Sequence, residues 1–169
     1  MTSTNPHENL QSTLAREIEP ATLSVFTTMV GAKLLREAYK SAAFDSHHRN
    51  VVSTVDLTGS IQGIAQVGYT LPLATYIACQ MLQIDPPVPG VDVLDAIGEV
   101  ANMIVGSMKA PLEGRLGRIQ IGLPTVALHA AMSPFSPSLS VNFRCVEEIF
   151  TVSVTLQSDW TGRSTIDFE

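Results

Sequence analysis

The sequence predicts an α+β fold in which two long helices pack on an antiparallel or mixed sheet. Apolar residues recur with helical spacing over residues 21–39, where Pro20 suits the first turn, and again over residues 91–108. Stretches rich in Val, Ile and Thr, divided by turn residues, predict hairpins over residues 51–69 and 138–156. The order helix, hairpin, helix is followed by helix, strand, hairpin, so we interpret the chain as one unit used twice.

The remaining segments complete a single predicted domain. A further helix begins at Pro72, and extended segments cover residues 116–123 and 125–131. Residues 1–17 are polar and lack apolar periodicity, so we expect them to form a flexible arm. The domain itself is then expected to span residues 18–169.

Composition limits the classes of function that the chain can have. The net charge of −6 argues against a nucleic-acid surface, which needs clustered Lys and Arg, and provides no electrostatic attraction to an acidic partner. Only 15% of the residues are charged, against about 25% in an average soluble protein. We therefore expect part of the surface to be covered, for example by a second copy of the chain.

The sequence gives no indication of a targeting segment or of a metal or redox role for its cysteines. No apolar run approaches the roughly 20 residues of a membrane span, and the first residues lack the features of a signal peptide. We expect a cytoplasmic protein that does not contact membranes. Cys79 and Cys145 lie in apolar runs without metal or redox spacing, which is typical of reduced, buried thiols.

The stretch over residues 91–108 is predicted to be an amphipathic helix with an unusual polar stripe. At about 100° per residue, Asp95, Glu99, Asn102 and Gly106 form a stripe about 60° wide. The opposite arc of about 140° is apolar and is predicted to face the core. It contains Leu94, Ile97, Val100, Ala101, Ile104, Val105 and Met108. A carboxylate and a carboxamide are thus predicted to point outward together, with a glycine leaving space beside them.

Spacing alone leaves a plain alternative open, because solvated helix faces often carry such pairs. Asp95 also suits the first turn of a helix, where the helix dipole favours acidic residues. However, asparagine is a mediocre helix former, and Gly98 and Gly106 each cost about 1 kcal/mol relative to alanine. A helix that contains all three is expected to use them for close approach, either to a neighbouring element or to a partner.

An internal match supports the repeat and limits the number of sites. Residues 24–31 (SVFTTMVG) align without a gap with residues 99–106 (EVANMIVG). In this alignment Ser24 stands in the place of Glu99 and Thr27 in the place of Asn102. The acid and amide are therefore present in one half only, which predicts a single site.

These residues resemble the signature of the CheC/CheX/FliY phosphatases of bacterial chemotaxis, and most closely that of CheX. The pattern is Asp95-x3-Glu99-x2-Asn102, followed after 21 residues by Pro124. The family pattern has one residue more before the proline. The resemblance covers residues 19–156 and implies a CheC-like, pseudo-duplicated fold. CheC-type members carry the pair on both helices, so the single pair here favours the CheX type.

The resemblance implies that the chain dephosphorylates the aspartyl phosphate of a CheY-type receiver domain. Asn102 would orient the attacking water, since a carboxamide donates and accepts hydrogen bonds and stays neutral beside a phosphate. Glu99 would pair with the lysine of the receiver and fix the helix in the partner's active site. Such a reaction depends mainly on positioning and charge stabilisation.

The other implied features surround this pair. Asp95 would be a weaker contributor, Met103 a flanking contact and Gly106 a residue that leaves clearance. The chain would have no cofactor or metal of its own, because Mg²⁺ would belong to the receiver. CheX-type members are homodimers that share a sheet across the interface, in agreement with the low fraction of charged residues.

Two other hypotheses compete with the phosphatase. The first is a non-catalytic module of the same fold that binds a receiver or acts as a scaffold, as flagellar switch proteins do. The second is a small-molecule enzyme with its own cofactor, but no nucleophile–base set, metal cluster or phosphate loop supports it.

Overall fold

The computed structural model describes residues 6–37, 50–130, 132 and 138–157. Its helices are α1 (Pro6–Val25), which continues into a π-helical turn (Phe26–Val30), α2 (Leu71–Leu82) and α3 (Gly90–Leu116). Its strands are β1 (Leu34–Glu37), β2 (Asn50–Gly59), β3 (Gly63–Thr70), β4 (Ile119–Ile121), β5 (Thr125–Leu128), β6 (Ser138–Cys145) and β7 (Glu148–Leu156). The α+β fold is thereby confirmed.

The strands form one sheet whose described pairings are all antiparallel. The order is β1, β6, β7, β3, β2, and both β4 and β5 then pair with the outer side of β2. The two predicted hairpins are present as β2–β3 and β6–β7. The segment predicted as a strand over residues 116–123 is shortened to β4, because α3 continues to Leu116.

The helices pack on one face of the sheet and enclose the core. Alternate residues of β2 point into this core, and the hydroxyl of Ser53 donates a hydrogen bond of 3.2 Å to the carbonyl oxygen of Ile97 in α3. Farther along the sheet, the Phe150 ring stacks on Phe26, which extends from the end of α1. The core therefore holds both long helices against the same surface.

The sequence-based prediction is wrong mainly about where the first helix begins and ends. Residues 6–17, which were expected to belong to a flexible arm, are helical, and the helix ends at Val25 instead of continuing to residue 39. Leu10, Leu14 and Ile18 are buried and recur every four residues, so they form a narrow apolar stripe. The polar residues between them hid this stripe, and Pro20 lies inside the helix instead of opening it. Residues 1–5, 38 and 39 lie outside the described part of the chain.

The two segments that align in sequence, residues 24–31 and 99–106, are only partly alike in structure. α1 and α3 pack against each other, as two equivalent long helices should. However, Gly31 has a φ of +69° and ends the π-helical turn, whereas its aligned partner Gly106 lies within α3. The two aligned segments are therefore similar in sequence but end differently. Residues 158–169, at the end of the predicted domain, lie outside the described residues.

Candidate functional site

The apolar face of α3 fixes the orientation of the whole helix. All seven residues predicted for this face contact the core, six of them fully buried and Leu94 in part. Because the apolar arc faces the sheet and the other helices, the polar stripe must face outward.

Cys79 and Cys145 are also buried and free, as expected.

We call the stripe of Asp95, Glu99, Asn102 and Gly106 the α3 ridge. Asp95, Glu99 and Gly106 are exposed, and Asn102 is half-buried. Neither the Glu99 carboxylate nor the Asn102 carboxamide forms a hydrogen bond or ion pair with any residue that the structure describes. Their polar atoms are thus available to another molecule, and the ridge carries two carboxylates close together.

The back of the ridge is supported by a contact that spacing alone does not reveal. Gly98 is buried beneath the segment that leads into β5. A Cβ atom on Gly98 would lie 3.4 Å from Cγ2 of Val126 and 3.7 Å from Cγ of Pro124. The structure thus brings the proline of the motif against the helix, next to Glu99. Of the two uses of glycine left open by the sequence, Gly98 serves approach to a neighbouring element.

Gly106 differs from Gly98 because its surroundings are open. Among the described residues, no heavy atom outside its own helical turn lies within 4 Å of the position of a Cβ atom there. Met103, by contrast, is half-buried and packs against the core. Its main contacts are therefore within the chain, and its role as a flanking contact stays a prediction.

Gly106→Ala is expected to raise the free energy of unfolding by about 0.5–1 kcal/mol, because alanine is the better helix former and nothing obstructs its methyl group. Urea denaturation of both proteins measures this change. Gly98→Ala is the matched control: its methyl group meets Val126, so its gain should be smaller. A loss of stability in Gly106→Ala would show that this chain itself requires the glycine.

The corresponding surface of α1 lacks the acid and the amide. Ser24 and Thr27 are both exposed there, and the hydroxyl of Thr28 donates a hydrogen bond of 2.8 Å to the carbonyl oxygen of Ser24. The positions that match Glu99 and Asn102 therefore carry only a small hydroxyl group each. They provide natural control sites for the ridge.

Other kinds of site find no support in the described part of the chain. It contains no group of three His, Cys, Asp or Glu side chains placed to hold a metal ion. Among the same residues, no helix combines the length and apolar character needed to cross a membrane.

The chain is similar in sequence and in fold to known chemotaxis proteins. A family model described as "Chemotaxis phosphatase CheX" matches residues 51–143. The crystal structure of a chemotaxis protein CheX from Desulfovibrio desulfuricans superposes with a TM-score of 0.71 at 28% identity, covering 85% of this chain and 99% of that one. No curated protein matches the chain significantly in sequence.

Two more distant structures share the fold. One is the CheX–CheY–BeF3–Mg²⁺ complex from Borrelia burgdorferi, with a TM-score of 0.69, 19% identity and coverage of 85% of this chain and 97% of that one. The other is FliY from Thermotoga maritima, with a TM-score of 0.63, 17% identity and coverage of 92% of both chains.

Proposed function

Because the chain belongs to the CheX family of chemotaxis phosphatases, we propose that it hydrolyses the aspartyl phosphate of a CheY-type receiver domain. The observation that carries the proposal is the α3 ridge, where Glu99 and Asn102 are outward-facing and unpaired within the described chain. In this reaction water attacks phosphorus, the bond from phosphorus to the aspartyl oxygen breaks, and the products are inorganic phosphate and the free aspartate.

Asn102 is assigned to the attacking water. Its oxygen accepts a hydrogen bond from the water, and its amide group can at the same time donate to a phosphoryl oxygen. A neutral group suits this position, since a carboxylate would repel the phosphoryl oxygens. Phosphoryl transfer requires little covalent chemistry from the protein, so holding the water in line accounts for most of the effect.

Glu99 is assigned to docking. Its exposed carboxylate lies one helical turn before Asn102, so an ion pair with the receiver's lysine would set the depth and angle of α3. Asp95 lies a further turn away and is expected to contribute less. Gly106 lies a turn beyond Asn102, where the absence of a side chain leaves room for the partner.

Mg²⁺ is placed in the receiver, where it would neutralise charge on the phosphoryl oxygens. The B. burgdorferi complex contains Mg²⁺ and BeF3, which stands in for the phosphoryl group, together with CheX and CheY. This similarity supports a CheY-type partner for the present chain. We further propose a cytoplasmic location, as befits a receiver partner, and a homodimer in which two copies share a sheet.

Turnover separates this proposal from a non-catalytic receiver-binding module. A CheY-type receiver from the same organism is phosphorylated with acetyl phosphate, freed of excess donor and mixed with one-twentieth of an equivalent of the chain. We expect phosphate release to accelerate at least about tenfold and to go to completion, which needs many turnovers per molecule. A module that only binds would leave the rate of release unchanged or would protect the phosphate. That outcome would favour the scaffold hypothesis.

A further inference from the structure

The two most exposed large apolar side chains of the described residues belong to α3 and to the segment that leads into β5. Leu123 is 88% exposed and Val91 is 63% exposed. Val91 lies one helical turn before Asp95 on the same side of α3. Single exposed apolar residues are common on protein surfaces, so exposure by itself indicates little. The position of Leu123 and the way it is held are more informative.

Leu123 belongs to a short segment that is anchored on both sides. Before it, the backbone N–H of Gly122 donates a hydrogen bond of 2.9 Å to the carbonyl oxygen of Asp56 in β2. After it, Pro124 packs against Gly98, with its Cγ 3.7 Å from the position of a Cβ atom there. Consecutive Cα atoms are about 3.8 Å apart, so Leu123 cannot lie far from this contact. An exposed leucine is thereby held in a fixed place instead of on a loose loop.

The anchoring contact also places Leu123 next to the proposed site. Gly98 directly precedes Glu99 and lies one helical turn before Asn102, so it borders the α3 ridge. We therefore expect a partner that closes over Glu99 and Asn102 to approach Leu123 as well. Because the backbone on both sides of Leu123 is anchored, little backbone freedom would be lost on binding, which favours the use of this leucine in an interface.

Charge gives a separate reason to expect an apolar contact here. The chain has a net charge of −6, and the α3 ridge presents the carboxylates of Asp95 and Glu99. The phosphoryl group of a receiver is also negative, so it does not attract the carboxylates of the ridge, and contacts of another kind are needed beside it. Burial of apolar surface beside the ridge does not suffer from this repulsion.

We propose that Leu123 is the apolar anchor that seats the α3 ridge on the phosphorylated receiver, against an apolar surface beside the receiver's phosphate pocket. This inference rests on the proposed function. Leu123 is a positioning residue: it contributes to the stability of the complex and does not touch the reacting atoms. It should therefore affect the affinity for the receiver and leave the chemical step almost unchanged.

The test compares binding with turnover in one set of variants. The binding probe is the same receiver loaded with beryllofluoride and Mg²⁺. Leu123→Ser is expected to raise its Kd about tenfold and to raise KM for the phosphorylated receiver similarly, with kcat within about twofold. Leu123→Met should restore most of the affinity, because it restores the apolar volume. The control is Leu82→Ser, at the end of α2, where the leucine is 46% exposed and no change is expected.

Each outcome decides the proposal. The proposal is overturned if Leu123→Ser leaves the Kd for the loaded receiver unchanged, or if Leu82→Ser raises this Kd equally. If the parent chain binds the loaded receiver but releases no phosphate, the phosphatase function fails and the Kd comparison still decides the role of Leu123. If the parent chain does not bind the loaded receiver at all, both proposals are wrong. Thermal unfolding of Leu123→Ser should match the parent, since so exposed a side chain adds little to the core.

Discussion

Asn102→Ala is expected to lower kcat for receiver dephosphorylation by about 100-fold or more, while the Kd for the loaded receiver changes little. Removal of one well-placed hydrogen-bonding group from an active site typically costs factors of this size. The variant should fold normally, because the Asn102 side chain forms no hydrogen bond with any described residue of its own chain. Steady-state phosphate release and a binding titration measure the two quantities.

Two variants show whether the effect belongs to the amide. Asn102→Asp keeps the shape but places a negative charge beside the phosphoryl oxygens, so it should also be strongly impaired. Thr27→Ala changes the aligned position of α1, which is exposed, and should leave kcat unchanged. If Asn102→Ala retained most of the parent's kcat, the water-orienting role would be wrong even if Glu99 proved essential.

Phe150→Ala is expected to produce the largest loss of stability, about 3–5 kcal/mol. The ring of Phe150 is fully buried and lies 4.8 Å from that of Phe26, 5.4 Å from that of Phe143 and 5.6 Å from that of Tyr69, measured between ring centroids. Its removal leaves a cavity between the π-helical turn and the sheet and ends three stacking contacts. Since small domains are stable by about 5–15 kcal/mol in total, urea denaturation should show a large shift of the midpoint.

Tyr69→Phe is the matched control for this cluster. It keeps the ring and removes a buried hydroxyl that has no hydrogen-bond partner in the described part of the chain. Its stability should therefore equal or exceed that of the parent. A loss in Phe150→Ala below about 1 kcal/mol would mean that the surrounding structure collapses into the space and that this cluster does not hold the π-helical turn to the sheet.

The sequence was most informative where one pattern was both strong and local. In α3 the apolar arc and the polar stripe are each continuous over several turns, so the outward direction of Glu99 and Asn102 followed from helical geometry. The hairpins were equally clear, because short stretches rich in β-branched residues are separated by turn residues.

The first helix could not be predicted in the same way. Its apolar stripe consists of single residues, such as Leu14 and Ile18, one turn apart among polar neighbours. Their burial depends on packing against α3 and β6, which are distant in the sequence. Pro20 then suggested a helix start that tertiary packing overrides. The apolar periodicity before Pro20 was too weak to outweigh this indication of a helix start.

The candidate site was predictable in part for a related reason. Spacing placed Glu99 and Asn102 on one side of α3, and the family signature drew attention to Pro124. The contact between Gly98 and Pro124 depends on how the segment leading into β5 packs against α3. The location of Leu123 depends on the same packing. Such long-range contacts leave no periodic pattern in the sequence.

The most direct measurement is a crystal structure of the chain bound to a CheY-type receiver that carries beryllofluoride and Mg²⁺. In this complex α3 is expected to enter the receiver's active site, with the Glu99 carboxylate paired to the receiver's lysine. The Asn102 carboxamide should then lie about 3 Å from the water position in line with the bond that breaks. A complex in which α3 lies outside the interface, or in which Asn102 is remote from the beryllofluoride, would contradict it.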